Sequence, residues 1–219
     1  MPSAPLLPIS PKHGIPHCII KHGMTKHGMT QHEEWNYRHR PRPFGGEVCF
    51  RLDGETLVID TGRKVENWAL RDIAVIRLTY EPKSVVWQGF RLKMTDKAGR
   101  NLSLTNLNWK SYVHVDRQDA DYVRFVGDLI TRTEAANPRV VCIAGKTAPV
   151  YYATVLLGAS TTVLMSVMAV LAALKGAVAY GALAGLFILP FAQMSWSLSR
   201  RNKPEFFSKA DIPSRVLPE

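Results

Sequence analysis

Apolar and polar positions follow three different rhythms along this chain. Between residues 44 and 140 they mostly alternate. Val48, Phe50 and Leu52 are interleaved with Cys49 and Arg51, and Asp53-Gly54 then supplies a hairpin-turn pair. Leu57 and Ile59 predict a second strand closed by Thr61-Gly62, and residues 65–70 a third. Ala74, Ile76, Leu78 and Tyr80 share one face of a fourth strand. Phe90, Leu92 and Met94 alternate with Arg91, Lys93 and Thr95, and Lys97-Ala98-Gly99-Arg100 turns the chain into a sixth strand around Leu102 and Leu104. Six short strands joined by tight turns predict an antiparallel meander; residues 106–115 read either as a seventh strand or as a loop.

The rhythm then lengthens. Tyr122, Phe125, Val126, Leu129, Ile130 and Thr133 recur at helical spacing and form one apolar stripe. Asp119 is the expected N-cap, and Asn137-Pro138 the stop. Burying that stripe is worth about 1.5–3 kcal/mol per side chain, so the helix is expected to plug the open end of a curled sheet.

After Lys146 the alternation disappears. Residues 147–174 and 176–199 carry no charge, and Lys175 alone separates them. At 1.5 Å per residue they reach roughly 42 and 36 Å, against a hydrocarbon layer of about 30 Å. A transmembrane helical hairpin over residues 147–199 is expected, turning at Lys175-Gly176. Arg139 and Lys146 precede it and Arg200, Arg201, Lys203 and Lys209 follow, so both ends are expected on the cytoplasmic side. Tyr151, Tyr152 and Trp196 would then share one interface, with Tyr180 nearer the other. Ala177, Gly181 and Gly185 form a small-residue ridge for Ala169 and Ala173 to face, and Pro190 is expected to bend the second helix.

Composition changes this picture in two places. The net charge of +10 divides into +4 for residues 1–43, +2 for 44–140 and +4 for 141–219. The excess therefore lies in the tail and the membrane flanks, where anionic lipid is the natural partner, and nucleic-acid binding is not expected. The first 43 residues hold seven prolines and little periodicity, which predicts a disordered His/Pro-rich tail. Its tandem Lys-His-Gly-Met-Thr repeat (residues 21–25 and 26–30) and histidines at 13, 17, 22, 27 and 32 are compatible with metal handling. A spacing of five suits neither a helix face nor a strand face, however, so no metal site is assigned. Met24 and Met29 are alternative starts to Met1. Residues 200–219 read as a cytosolic basic tail. Cys18, Cys49 and Cys142 suggest no disulfide framework and read as structural thiols, Cys49 sharing a strand face with Arg51.

Candidate chemistry is sparse. Arg91 and Lys93 share a strand face, Lys97 and Arg100 lie in the adjoining turn, and the four are the expected anion-contacting, ligand-binding set. Tyr112, His114 and Asp116 alternate, so a strand would pair an imidazole with a carboxylate, as a general base requires. No nucleophile, phosphate loop or dinucleotide fingerprint accompanies them; no catalytic residue and no cofactor is assigned, and the chain is not expected to be an enzyme.

The run Trp68-Ala69-Leu70-Arg71-Asp72-Ile73 and the closing helix, with strands first and one helix last, resemble the pleckstrin-homology-like (PH-like) fold, and in particular the bacterial PH-like domains found beside transmembrane segments in uncharacterised bacterial membrane proteins. The resemblance covers about residues 47–137. It implies an α+β class with a PH-like sheet or partial barrel of about six or seven strands, and a bacterial inner-membrane location. Lipid-binding members of the wider fold carry a basic first hairpin turn; Asp53-Gly54-Glu55 is acidic, so the implied role is an interaction or scaffold module. The expectation is thus a multi-pass membrane protein whose cytosolic domain (44–140) binds a protein segment or lipid headgroup at the cytoplasmic leaflet. The alternative is a membrane-bound enzyme using His114 and Asp116, or metal handling by the tail.

Overall fold

The computed structural model describes residues 36–84 and 87–218, which form an α+β structure of eleven strands and three α-helices. The His-rich tract, its repeat and Cys18 lie outside the described residues. The six expected strands are β2 (Val48–Asp53), β3 (Thr56–Asp60), β4 (Val65–Ala69), β5 (Ile73–Tyr80), β6 (Phe90–Asp96) and β7 (Asn101–Thr105). The ambiguous stretch is a short hairpin of β8 (Leu107–Trp109) and β9 (Val115–Arg117).

One further strand precedes them. β1 (Asn36–His39) pairs antiparallel with β2, and Tyr37 and His39 are almost fully buried. The folded part therefore starts earlier than the expected boundary at residue 44. β1 to β4 form a four-stranded meander, Leu52↔Leu57 and Leu57↔Trp68 fixing its register. β5, β6 and β7 form an antiparallel meander within a second sheet, and neither sheet closes on itself.

α1 (Asp119–Ala136) buries the whole predicted stripe from Tyr122 to Thr133. Its N-cap is Gln118 rather than Asp119. The Asp119 carboxylate is occupied elsewhere, accepting a 2.6 Å hydrogen bond from the Asn106 amide and pairing with Arg117. At the other end Asn137 caps the helix, and its side chain donates to the Ile73 carbonyl at 2.8 Å. The core between helix and sheets contains Phe50, Leu57, Trp68, Ile76, Phe90 and Leu129.

The chain then does something no periodicity announced. β10 (Val141–Ala144) lies parallel to β5, with Val141 opposite Val75 and Ala144 opposite Leu78. α2 (Ala148–Leu174) follows within four residues, the chain turns through Gly176 at φ 79°, and α3 (Val178–Arg201) returns, continuous through Pro190. β11 (Glu205–Phe206) then pairs with β10, giving the sheet order β11-β10-β5-β6-β7. Residues after 201 are thus not a free basic tail. Val216 is fully buried, Phe207, Ile212 and Leu217 pack on the core, and Arg215 pairs with Glu205.

α2 and α3 are long and apolar enough to cross a membrane. They differ from core helices in that Gly158 is the single buried residue of α2, and α3 has none. They pack on each other. A side chain at Gly181 would meet the Ala169 carbonyl at 3.0 Å and Ala173 Cβ at 3.4 Å, so this part of the expected ridge is a close contact. Gly185 faces open space instead, and a second close approach joins Gly158 to Ser195.

Candidate functional site

Three places in the fold gather polar or charged side chains, the first of them the cationic face of β6. β6 carries Arg91 and Lys93, and the β6–β7 turn carries Lys97 and Arg100, so the four do lie along one strand and its turn. Three of them are already matched by acids. Arg91 pairs with Glu81 at 3.0 Å, Lys97 approaches Asp72 at 3.8 Å and donates to the Arg71 carbonyl, and Arg100 pairs with Asp96 at 2.6 Å. Burial pulls the Asp96 carboxyl up, but the guanidinium and backbone N–H of Arg100 overcome it and hold the group below the ordinary carboxylate range. Arg100 also lies over the Trp68 ring at 4.7 Å. Lys93 alone makes no ion pair among the described residues. Most of the charge on this face is thus paired within the domain.

The imidazole–carboxylate pair does form. His114 Nε2 stands 3.0 Å from Asp116 Oδ1, and Lys110 approaches the other oxygen at 3.6 Å. His114 is largely exposed beside the tip of the β8–β9 hairpin and Asp116 about half exposed on β9, where water competes with any developing charge. Tyr112, the third member of the alternation, turns to the ring of Phe44 at 6.0 Å. Among the described residues no group of three His, Cys, Asp or Glu side chains is arranged to hold a metal ion. Cys49 is half-buried in β2, and Cys142 is buried in β10. Burial first, then the neighbouring Glu134, push the Cys142 thiol up to about 12, which makes it a poor nucleophile.

The third place escaped sequence reasoning: the junction where the helical hairpin meets the second sheet. The Asn202 side chain, buried at the end of α3, accepts from the Tyr80 N–H at 3.1 Å and donates to the Tyr80 carbonyl at 2.8 Å, acting as one extra rung on β5. Arg201 stacks over the rings of Tyr80 and Phe90 at 5.0 and 5.8 Å. Along the same edge of β5, the Gly145 N–H donates to Leu78, Arg77 donates to the Gly145 carbonyl at 3.1 Å, and the Lys146 N–H donates to the Asn202 carbonyl. Gly145 has φ 79°, and a Cβ there would run into the carbonyl oxygens of Asn202 and Lys203; only glycine lets the two feet of the hairpin come this close.

A cleft of about 170 Å³ opens beside the junction. Tyr80, Pro82, Ser84 and Gln88 line one wall, and Pro190, Gln193, Met194 and Ser197 of α3 the other. The one signal in the sequence is an amide, Asn202, set among the basic residues that follow an apolar helix. Chemically the junction holds and orients; it supplies no acid, base or nucleophile. No protein-family model matches this chain, and comparisons with curated proteins and with solved structures find no match.

Proposed function

We propose that this chain is a membrane-anchored interaction module: a PH-like domain held at the cytoplasmic leaflet of a bacterial inner membrane by a two-helix hairpin, both termini cytoplasmic, which binds a protein segment or lipid headgroup. The observation that carries the reading is that two apolar helices with exposed side chains rise directly from adjacent strands of the domain, β10 and β11. Water is a poor solvent for surfaces made of Leu156, Leu157, Val163, Leu164, Leu186 and Leu189, and lipid is a good one. The basic residues at both feet favour a cytoplasmic foot. A four-stranded meander, a second meander and one closing helix support the PH-like part.

The test is cysteine accessibility in intact cells. With Cys18 and Cys49 replaced by serine, a membrane-impermeant maleimide should label Lys175→Cys from outside and Lys209→Cys only after lysis. Labelling of Lys209→Cys in intact cells, or recovery of the chain in the soluble fraction after alkaline extraction, would sink the reading. A catalytic reading keeps one observation in its favour, the 3.0 Å contact of His114 with Asp116. Loss of a membrane-bound activity on His114→Ala would favour it.

A further inference from the structure

The two sheets have an orientation relative to the helices, and it brings an unexplained patch to the membrane side. β5 and β10 run in parallel toward the end of the sheet where α2 begins and α3 finishes. β6 leaves that end and β7 returns to it, since Arg91 pairs with Thr105. Asn106 is then clamped to Phe90: its N–H donates to the Phe90 carbonyl and its side-chain oxygen accepts from the Phe90 N–H at 2.8 Å. β8 continues past this point. The β8–β9 hairpin therefore projects from the same end of the domain as the two apolar helices.

The cleft sets the depth. Its wall on α3 reaches Pro190, twelve residues before Asn202, or roughly 18 Å along the helix axis. The described residues of the β5–β6 connection that line the cleft, Pro82, Ser84 and Gln88, thus lie alongside the last turns of α3, next to its basic foot. Trp87 of that segment meets Trp109 of β8 edge-on, with ring centroids 5.9 Å apart, so the hairpin is tied to the same level.

At its tip Tyr112 is 71 % and Val113 74 % exposed, and Phe44 of the β1–β2 connection, 90 % exposed, brings its ring against Tyr112. Exposed cations flank them in the chain: Arg42 stands two residues before Phe44 and Lys110 two before Tyr112. Asp116 is the neighbouring carboxylate, and it is shared between Lys110 and His114.

We propose that Phe44, Tyr112 and Val113 form a third contact with the bilayer, seated in the headgroup layer of the anionic leaflet that the hairpin spans. Tyr112, an aromatic ring with a polar edge, suits that layer, Phe44 and Val113 add apolar surface beside it, and lysine and arginine near it are drawn to anionic lipid. The anchor delivers the patch to this surface at high effective concentration, an advantage no free protein partner has. The inference rests on the hairpin being embedded. It adds that the domain lies against the lipid rather than swinging free.

The test uses the full-length chain with Cys18 and Cys49 changed to serine, Cys142 being buried and unreactive. A polarity-sensitive fluorophore is placed at Ser111→Cys, in the tip, or at Ala98→Cys, in the β6–β7 turn at the far end. In nanodiscs containing phosphatidylglycerol and brominated lipid, the label at 111 should be strongly quenched and the label at 98 not. The triple change Phe44→Ser, Tyr112→Ser, Val113→Ser, all at exposed positions, should abolish the quenching, and zwitterionic discs should weaken it. A label at 111 that stays unquenched in chains that have entered the discs overturns the third contact and leaves the hairpin reading intact. Equal quenching at both sites, or none lost in the triple variant, overturns it as well. Quenching unchanged in zwitterionic discs removes the anionic requirement. A chain that does not enter discs at all sinks the anchor and this contact together.

Discussion

α1 and α2 are both regular helices, yet one hides its large apolar side chains and the other displays them. In α1 the six residues of the stripe are buried and the remaining positions are polar, small or half-exposed. In α2, Leu156, Leu157, Val163 and Leu164 are all exposed. Nothing in helix geometry separates them. What differs is the number of sides that demand an apolar partner: the sheets satisfy the one stripe of α1, while α2 is apolar all round and α3 covers only a fraction of it.

The sharpest way to break this comparison is to put a charge on each. Phe125 sits 2 % exposed, stacked on Tyr37 at 5.6 Å. Phe125→Asp should cost more than about 4 kcal/mol and unfold the domain, read as loss of its cooperative thermal transition in detergent. Leu164→Asp at an exposed α2 position should leave that transition in place and impair insertion instead, at a cost of about 2.5–3.5 kcal/mol near a bilayer centre, read as a shift from the membrane to the soluble fraction. If Leu164→Asp unfolded the domain as Phe125→Asp does, α2 would be a core helix and the comparison false.

The two regions were also unequally legible. Strands β2 to β7 and the α1 stripe declared themselves, because each buries one face and the alternation or the helical period is written in the residues. β1, β10 and β11 did not. Asn36–His39 has only Tyr37 and His39 to show an alternation, and prolines follow it. Val141–Ala144 is too short and too uniformly apolar to distinguish from the approach to a helix. Glu205–Phe206 follows a proline and has two residues. Such strands form because an existing edge offers hydrogen-bonding partners, a fact of the assembled sheet and not of the local sequence. The charged face was partly legible for a similar reason: Arg91, Lys93, Lys97 and Arg100 are visible as a cluster, but the acids that pair with three of them, Glu81, Asp72 and Asp96, come from just past β5, the turn before it and the end of β6. The junction was hidden outright, since Asn202 and Tyr80 are 122 residues apart.

Acid sharpens the contrast, because a titratable group in the domain lies where none exists in the central part of the hairpin. His39 is 1 % exposed, stacked on Phe50 at 5.6 Å, and neither ring nitrogen has a hydrogen-bond partner among the described residues. Burial pushes its pKa down to about 4 from an ordinary 6.5. The unfolded chain therefore binds the proton first. Stability is full above pH 6.5, falls as pH drops through the window between 6.5 and about 4, and loses about 3 kcal/mol at most from this group. Denaturant midpoints measured across that window should fall with acidity, and His39→Phe should flatten the fall. A slope unchanged in His39→Phe would assign the effect to other groups.

Between the two regions stands the junction, where a smaller effect is expected. Asn202→Ala removes both hydrogen bonds to Tyr80 and leaves its N–H and carbonyl buried without that partner, a loss of about 1–3 kcal/mol. The domain should stay folded while the Tyr80 amide exchanges faster in deuterium-exchange measurements, and the amides of β2 and β3 keep their rates. Equal acceleration in β2 would mean that the hairpin foot stabilises the whole domain and not only the strand it caps.

The smallest test lies inside the hairpin and compares two glycines one turn apart. Gly181 is close against Ala169 and Ala173, whereas nothing comes within 4 Å of a Cβ placed at Gly185. In lipid no hydrophobic force drives the helices together, so their association depends on how closely the backbones approach. Gly181→Leu should therefore push the helices apart near the turn, costing about 1–3 kcal/mol as overpacking does, while Gly185→Leu should be close to neutral. Cross-linking between cysteines placed at Ala172 and Ala177, near the turn, should slow in the first variant and not in the second. If Gly185→Leu were the damaging change, the ridge read from spacing would be the true contact and the helices would face each other at a different rotation.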